Sequence, residues 1–167
     1  MEPAQIEVIV HPESIIHSMV AFRDGAIMAH LGAPDMRHAI GYALNWPARA
    51  ELPVARLDFT RLASLTFRPA CETRYPALRL AREVMAARGL SGAAFNAAKE
   101  IALDHFIGGS LGFAAMAGVV EDTLAALSGQ HGLGNAPNSL DDVLAMDACA
   151  RVEAHRQATD FAARRAG

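Results

Sequence analysis

The stretch IEVIVHPESIIHSMVAFRDGAIMAHLGAPDMR, residues 6–37, decides how this chain folds. Residues 6–11 are rich in β-branched side chains on both faces and stop at Pro12, the pattern of a strand buried on two sides. Two more apolar runs, residues 17–22 and 26–31, flank Asp24-Gly25. That dipeptide suits the positive φ values of a two-residue type I′ turn, so a hairpin is predicted. Gly32, Ala33, Pro34 and Asp35 end the second strand, and Met36, Ile40, Ala43 and Leu44 set a short helical period over residues 36–45.

Beyond Trp46-Pro47 the period is lost. Pro53, a mixture of Arg, Leu and Asp, and Leu65-Thr66-Phe67 predict an extended connector as far as Pro69. The composition then turns alanine-rich and helical. Pro76 suits the first turn of a helix reaching Gly89, with Leu78, Ala81, Val84 and Met85 on one face. Ser91 is expected to cap a second helix that runs to about Ile107 and ends at Gly108-Gly109. A third, from near Phe113, spaces Phe113, Met116, Val120, Leu124 and Leu127 as one buried stripe. Residues 129–138 read as a loop. Ser139, Asp141 and Asp142 then suit the positive N-terminus of a last helix, which runs toward Arg164 and Arg165 at its negative end. Four helices with short connections make a small bundle, and the chain as a whole is α+β.

Composition narrows the chemistry. At 167 residues, 52% hydrophobic and 20% charged with a net charge of -3, the chain can bury a core and carries no basic face for nucleic acid. Lys99 is the only lysine, so a Schiff-base or phosphate-loop lysine would have to be that residue, inside a helical pattern. Cys71 and Cys149 lie far apart and suggest neither a zinc site nor a disulfide framework. Met1, Glu2 and Pro3 do not begin a signal peptide, and no apolar run approaches the roughly 18 residues of a membrane span, so a soluble cytoplasmic protein is expected.

His11 and His17 share a short segment with Ser14 and Ser18, which makes either an acid/base or nucleophilic pair or a polar pair beside a turn. No spacing of His, Asp and Glu matches a zinc motif, so no metal site is expected within the chain. Residues 108–112, GGSLG, resemble a phosphate loop but join two helices, and helix capping accounts for Asp141 and Asp142. There is no G-x-G-x-x-G dinucleotide fingerprint. Residues alone therefore leave a soluble α+β chain without an assigned reaction.

A resemblance goes further. The run IEVIVHPESIIHSMV, then Asp24-Gly25 and LGAPDMR at 31–37, resembles the 1-deoxy-D-xylulose 5-phosphate reductoisomerase family, whose segment typically reads HPxSxIHSMV, a hairpin and LGxPDMR. The likeness continues through Trp46-Pro47, Leu57-Asp58-Phe59, Leu65-Thr66-Phe67, Arg74-Tyr75-Pro76, Asn96-Ala97-Ala98 and residues 141–147, and covers nearly the whole chain. Lys99 departs from it, standing where the family usually has asparagine in a NAANE motif.

The resemblance implies a C-terminal portion of that enzyme. Residues 1–45 would be the C-terminal part of a mixed-sheet catalytic domain, 46–71 a connector and 72–167 the helical domain. The family rearranges 1-deoxy-D-xylulose 5-phosphate and reduces it with NADPH to 2-C-methyl-D-erythritol 4-phosphate, with Mg2+ or Mn2+ on the substrate oxygens, in isoprenoid precursor synthesis. Its Rossmann domain, acidic metal ligands and lid precede the matched segment, so the chain alone is expected to be inactive and to bind neither NADPH nor metal. Ser14 and His17 fall on substrate-pocket positions, His17 in a catalytic role. Pro34 and Met36 fall on the apolar wall near substrate, with Met36 also near the nicotinamide. His11 is expected to be structural. The family is a homodimer, so the partners implied are a second copy or a separately encoded N-terminal half. The competing reading is a non-catalytic oligomerisation or binding module derived from the enzyme.

Overall fold

The computed structural model describes residues 3–166. Met1, Glu2 and Gly167 lie outside the described residues, as do the side chains of Gln130, His131, Arg165 and Ala166. The reading of Met1-Glu2 as a start without a signal peptide, and of Arg165 as a charge at a helix end, therefore falls outside them. The chain divides into two compact units, Val8–Ala70 and Cys71–Gly167, the latter joined by Met1–Glu7.

In the first unit, β1 (Ile9–Val10) pairs antiparallel with β4 (Arg68–Pro69), Ile9 opposite Pro69 and Val10 opposite Arg68. The strand expected over residues 6–11 is thus only two residues long, and Ile9 is exposed. The β-branched pattern marks side chains that fit a pleated surface; it does not supply the neighbours that bury them. The 46–69 connector is anchored at its far end by this pairing.

The hairpin forms as β2 (Ile16–Ala21) and β3 (Ile27–Leu31). Its turn differs from the expected type I′. Among the described non-glycine residues only Ser14 and Arg88 have positive φ, so Asp24 does not, while Gly25 stands at φ 88. The Phe22 amide donates to the Ala26 carbonyl at 2.8 Å and the Gly25 amide to the Phe22 carbonyl at 3.0 Å, which closes a three-residue loop with its left-handed residue last. Asp24 Oδ1 accepts from the Ala26 amide at 3.0 Å, a bond that holds Asp24 in this turn.

Helix α1 (Arg37–Asn45) starts where Asp35 Oδ1 accepts the Arg37 amide at 2.9 Å, satisfying one first-turn donor. Gly41, at its middle, is buried under Leu52 of the connector. A Cβ there would lie 2.6 Å from Leu52 Cδ2, so the absence of a side chain lets the connector close over α1.

The second unit is a bundle of α2 (Pro76–Ala87), α3 (Ser91–Ile107), α4 (Met116–His131) and α5 (Leu140–Ala166). One core gathers Leu80, Ile101, Leu111 and Val119 with Ala98, Ala102, Ala154 and Ala158, and a second gathers Leu127, Leu133 and Met146 with Ala94, Ala97 and Ala150. Alanine dominates where α3 meets α5, because methyl-sized contacts let two helices approach closely. Three expectations change here. Ser91 does not cap α3 by accepting a bond: its hydroxyl donates back to the Arg88 carbonyl and, at 3.1 Å, to that of Val84. Phe113 belongs to a short 3-10 turn, Phe113–Ala115, and is 75% exposed, so the buried stripe is carried by Val120 and Leu127 with partly buried Met116 and Leu124. Leu80, missing from the predicted α2 face, is its buried residue. At the start of α5, the Asp142 amide donates to Ser139 Oγ at 3.2 Å and Asp142 Oδ2 accepts the Ser139 amide at 3.1 Å, a reciprocal cap. Among the described residues no helix is long and apolar enough to cross a membrane.

Candidate functional site

The residues singled out in the sequence converge on one end of the β2–β3 hairpin. Ser14 stands at φ 51, a left-handed conformation uncommon outside glycine, and its amide donates to the His11 carbonyl at 3.1 Å. This turn brings the chain round so that the Ile15 carbonyl accepts the Gly32 amide at 3.0 Å. The HPESIIH and LGAPDM segments, fifteen or so residues apart along the chain, are thereby joined by this bond beside the Ile16–Leu31 pair of the ladder.

His17 occupies an irregularity in the ladder. Ile16 pairs with Leu31 but Ser18 pairs with His30, so two steps on β2 match one on β3 and His17 is the extra residue. A bulge of this kind releases a side chain from strict alternation and re-aims it. The His17 ring lies beside that of His30, centroids 5.5 Å apart and planes tilted by 53°. His38, on the first turn of α1, reaches the same place: a Cβ built on Gly32 would be 3.6 Å from His38 Cδ2 and 3.7 Å from His17 Nε2. His38 Nε2 is buried without a hydrogen-bond partner in the structure. His17 and His38 thus flank Gly32, and His30 lies beside His17.

His30 and His38 were not singled out from the sequence. Counting from the turn places His17 and His30 on paired strands, while the start of α1 brings His38 to the Gly32 that His17 also approaches. The signal that could have found them is the recurrence of histidine in both segments flanking Gly32.

Pro34 and Met36 follow on the adjoining loop, and Met36 is 72% exposed. The loop is clamped by Asp35 and Arg37. Arg37 Nε lies 3.0 Å from both carboxylate oxygens and Nη2 lies 2.5 Å from Oδ2. Hydrogen bonds from the Arg37 side chain, then its amide, hold the Asp35 carboxyl down at about 2. An ionised Asp35 therefore keeps the loop between its two ends, with the thioether of Met36 left outward as an apolar surface.

His11 has a different environment. Its side chain is 6% exposed, with Nδ1 2.8 Å from the Thr66 carbonyl and 3.0 Å from Glu13 Oε2, and its ring stacks on Phe67 at 5.0 Å. The Thr66 amide donates to Glu13 Oε1 at 3.1 Å. Hydrogen bonding from Thr66, helped by the nearby His11, holds the Glu13 carboxyl below the usual range. His11 and Glu13 together fasten β1 to the returning connector.

The donor set for a divalent metal is not here: among the described residues no group of three or more His, Cys, Asp or Glu could hold an ion. The hairpin end offers imidazoles, a serine hydroxyl and an apolar shelf. Such a surface can donate and accept hydrogen bonds to an oxygen-rich ligand on one side and exclude water on the other.

Comparison with known proteins gives this surface its context. A family profile described as DXP reductoisomerase C-terminal domain matches residues 31–153. The 1-deoxy-D-xylulose 5-phosphate reductoisomerase of Cereibacter sphaeroides strain ATCC 17025 is 64% identical over 158 residues, 95% of this chain and 40% of its own length. That of Ruegeria pomeroyi is 64% identical over 151 residues, 90% of this chain and 38% of its own. Among solved structures, the Zymomonas mobilis reductoisomerase in complex with NADPH is 44% identical with a TM-score of 0.77, covering 91% of this chain and 39% of that one. A reductoisomerase in complex with NADPH, fosmidomycin and magnesium is 32% identical with a TM-score of 0.81, covering 95% and 40%. The chain spans about two fifths of the length of the curated relatives it matches. It belongs to the DXP reductoisomerase C-terminal domain family.

Proposed function

We propose that this chain supplies the substrate-facing wall and the helical tail of a 1-deoxy-D-xylulose 5-phosphate reductoisomerase. The observation that carries the reading is the Ile15–Gly32 bond, which brings Ser14 and His17 beside the loop bearing Pro34 and Met36. These are the four residues that the family motif assigns to the pocket. In this proposal, His17 exchanges hydrogen bonds with substrate oxygens whose charge changes during rearrangement. Ser14 contributes its hydroxyl to the same pocket. Pro34 and Met36 keep water from the path of the reducing equivalent, with Met36 also facing the nicotinamide.

In an assembled reductoisomerase NADPH provides the hydride and Mg2+ or Mn2+ polarises the substrate oxygens. The residues present do not fit either group alone: the chain has no dinucleotide fingerprint, and its described residues include no three-ligand set. Accordingly, the 167-residue chain by itself is proposed to be inactive. Residues 1–45 complete the catalytic domain, 46–71 connect and 72–167 form the tail, in a homodimer or with a separately encoded N-terminal half.

The test joins this chain to the N-terminal three fifths of the Cereibacter sphaeroides relative and assays NADPH oxidation with 1-deoxy-D-xylulose 5-phosphate and Mn2+. Turnover in the joined protein, with none in the chain alone, is the expected result. A folded joined protein without turnover would favour the non-catalytic module.

A further inference from the structure

Within the helical unit, the alanine-lined contact of α3 with α5 brings two imidazoles together. Ala102 and Ala154 are both fully buried in that contact. His105 follows the first by one helical turn and His155 comes directly after the second. His105 Nε2 lies 3.0 Å from His155 Nδ1, with the rings edge to face and their centroids 5.2 Å apart. The remaining nitrogen of His105, Nδ1, is 2.9 Å from Ser110 Oγ. The Ser110 hydroxyl is committed elsewhere, donating to the carbonyl of His105 at 3.1 Å.

These bonds assign the hydrogens. Because Ser110 Oγ spends its proton on the carbonyl, it accepts from His105 Nδ1, and His105 presents a lone pair at Nε2 toward His155. A histidine with one ring N–H held by a hydrogen-bond acceptor and its lone pair on the other nitrogen is in the tautomer that ligates metals.

We propose that His105 and His155 form a two-imidazole site for a borderline divalent transition-metal ion of the zinc, nickel or copper class. Imidazole nitrogens select such ions over magnesium, calcium and manganese, which favour oxygen ligands. A tetrahedral ion at about 2.0–2.1 Å from each nitrogen holds the two nitrogens about 3.3 Å apart. The pair, now hydrogen-bonded at 3.0 Å, opens by about 0.3 Å and both rings turn so that their lone pairs converge on the ion and not on each other. His155 moves its hydrogen from Nδ1 to Nε2 and offers Nδ1 to the ion, so no proton is lost overall. Among the described residues no third His, Cys, Asp or Glu completes the set, so water takes the other positions.

Equilibrium dialysis of the 167-residue chain against micromolar zinc or nickel chloride, followed by metal analysis, tests this. The comparison is with His105→Gln and His155→Gln, and far-UV circular dichroism checks that each stays helical. His17, His30 and His38 are present in every protein compared, so their contribution cancels. Each substitution is expected to weaken uptake at one site about tenfold or more, and Ser110→Ala, which frees the His105 tautomer, several-fold. Equal uptake by wild type and both glutamine variants, or loss in only one of them, would overturn the site.

Discussion

Gly32 donates its amide to the carbonyl of Ile15 at 3.0 Å, and every residue assigned to the pocket lies within four positions of one end or the other of that bond. Ser14 and His17 sit on the Ile15 side, Pro34 and Met36 on the Gly32 side. The bulge at His17 follows directly, since the strand must absorb one residue between this anchor and the regular pairing from Ser18 onward.

His17 and His11 should part company in kinetics. In the joined reductoisomerase, His17→Ala is expected to lower kcat/KM by roughly ten- to a thousandfold, about 1.4–4 kcal/mol of transition-state stabilisation, with little change in thermal stability. His11→Ala removes a buried ring, its bond to Thr66 and its stack on Phe67, and should cost about 1–3 kcal/mol of stability instead. Steady-state assays paired with thermal melts separate the two. Wild-type efficiency for His17→Ala together with a folded but crippled His11→Ala would reverse the roles.

Asp35 gives a pH signature. Its carboxyl sits at about 2 against an ordinary value of 3.8, so the folded state favours the ionised form. Its contribution is full above about pH 4 and is lost as pH falls through 2. Carboxyl carbon NMR should follow a midpoint near 2 in the wild type, moving up toward 3.8 in Arg37→Gln. An Asp35 midpoint already near 3.8 in the wild type would mean that the Arg37 clamp is not formed.

Gly89 should not tolerate a side chain. It stands at φ 57, and a Cβ there would lie 2.5 Å from the Asn135 carbonyl oxygen. Backbone cannot swing aside as a side-chain end can. Nearby, the Leu90 amide donates to the Leu133 carbonyl at 2.8 Å, tying the α2–α3 turn to the loop after α4. Gly89→Ala is expected to cost about 2–4 kcal/mol, read as a lower midpoint in denaturant unfolding followed by circular dichroism. An unchanged midpoint would show that this loop yields.

The hairpin is expected to drive self-association of the isolated chain. Ile27 and Met28, on opposite faces of β3, are 65% and 66% exposed, and Met19, Val20 and Phe22 add to the apolar surface. Light scattering at micromolar concentration should give a mass above 17.7 kDa, reduced by the double change Ile27→Lys and Met28→Lys. A monodisperse monomer for the wild type would contradict this.

The sequence by itself determined what is local. The bundle helices are legible from Pro76, the 3.6-residue period and the reciprocal Ser139–Asp142 cap, because each depends on residues within one or two turns. The hairpin is legible from Gly25, though not its turn type, which was settled by the closing bond from Phe22 to Ala26. Resemblance to a family supplied Ser14, His17, Pro34 and Met36. Tertiary structure alone decided the rest. The extra residue at His17 depends on where the Ile15–Gly32 bond anchors the ladder, and no periodicity encodes a register shift. The approach of His17 and His38 to Gly32, and the meeting of His105 with His155, join residues on different elements. Such meetings are set by how closely backbones pack, as at the buried Ala102 and Ala154, and a one-dimensional pattern carries no distance between elements.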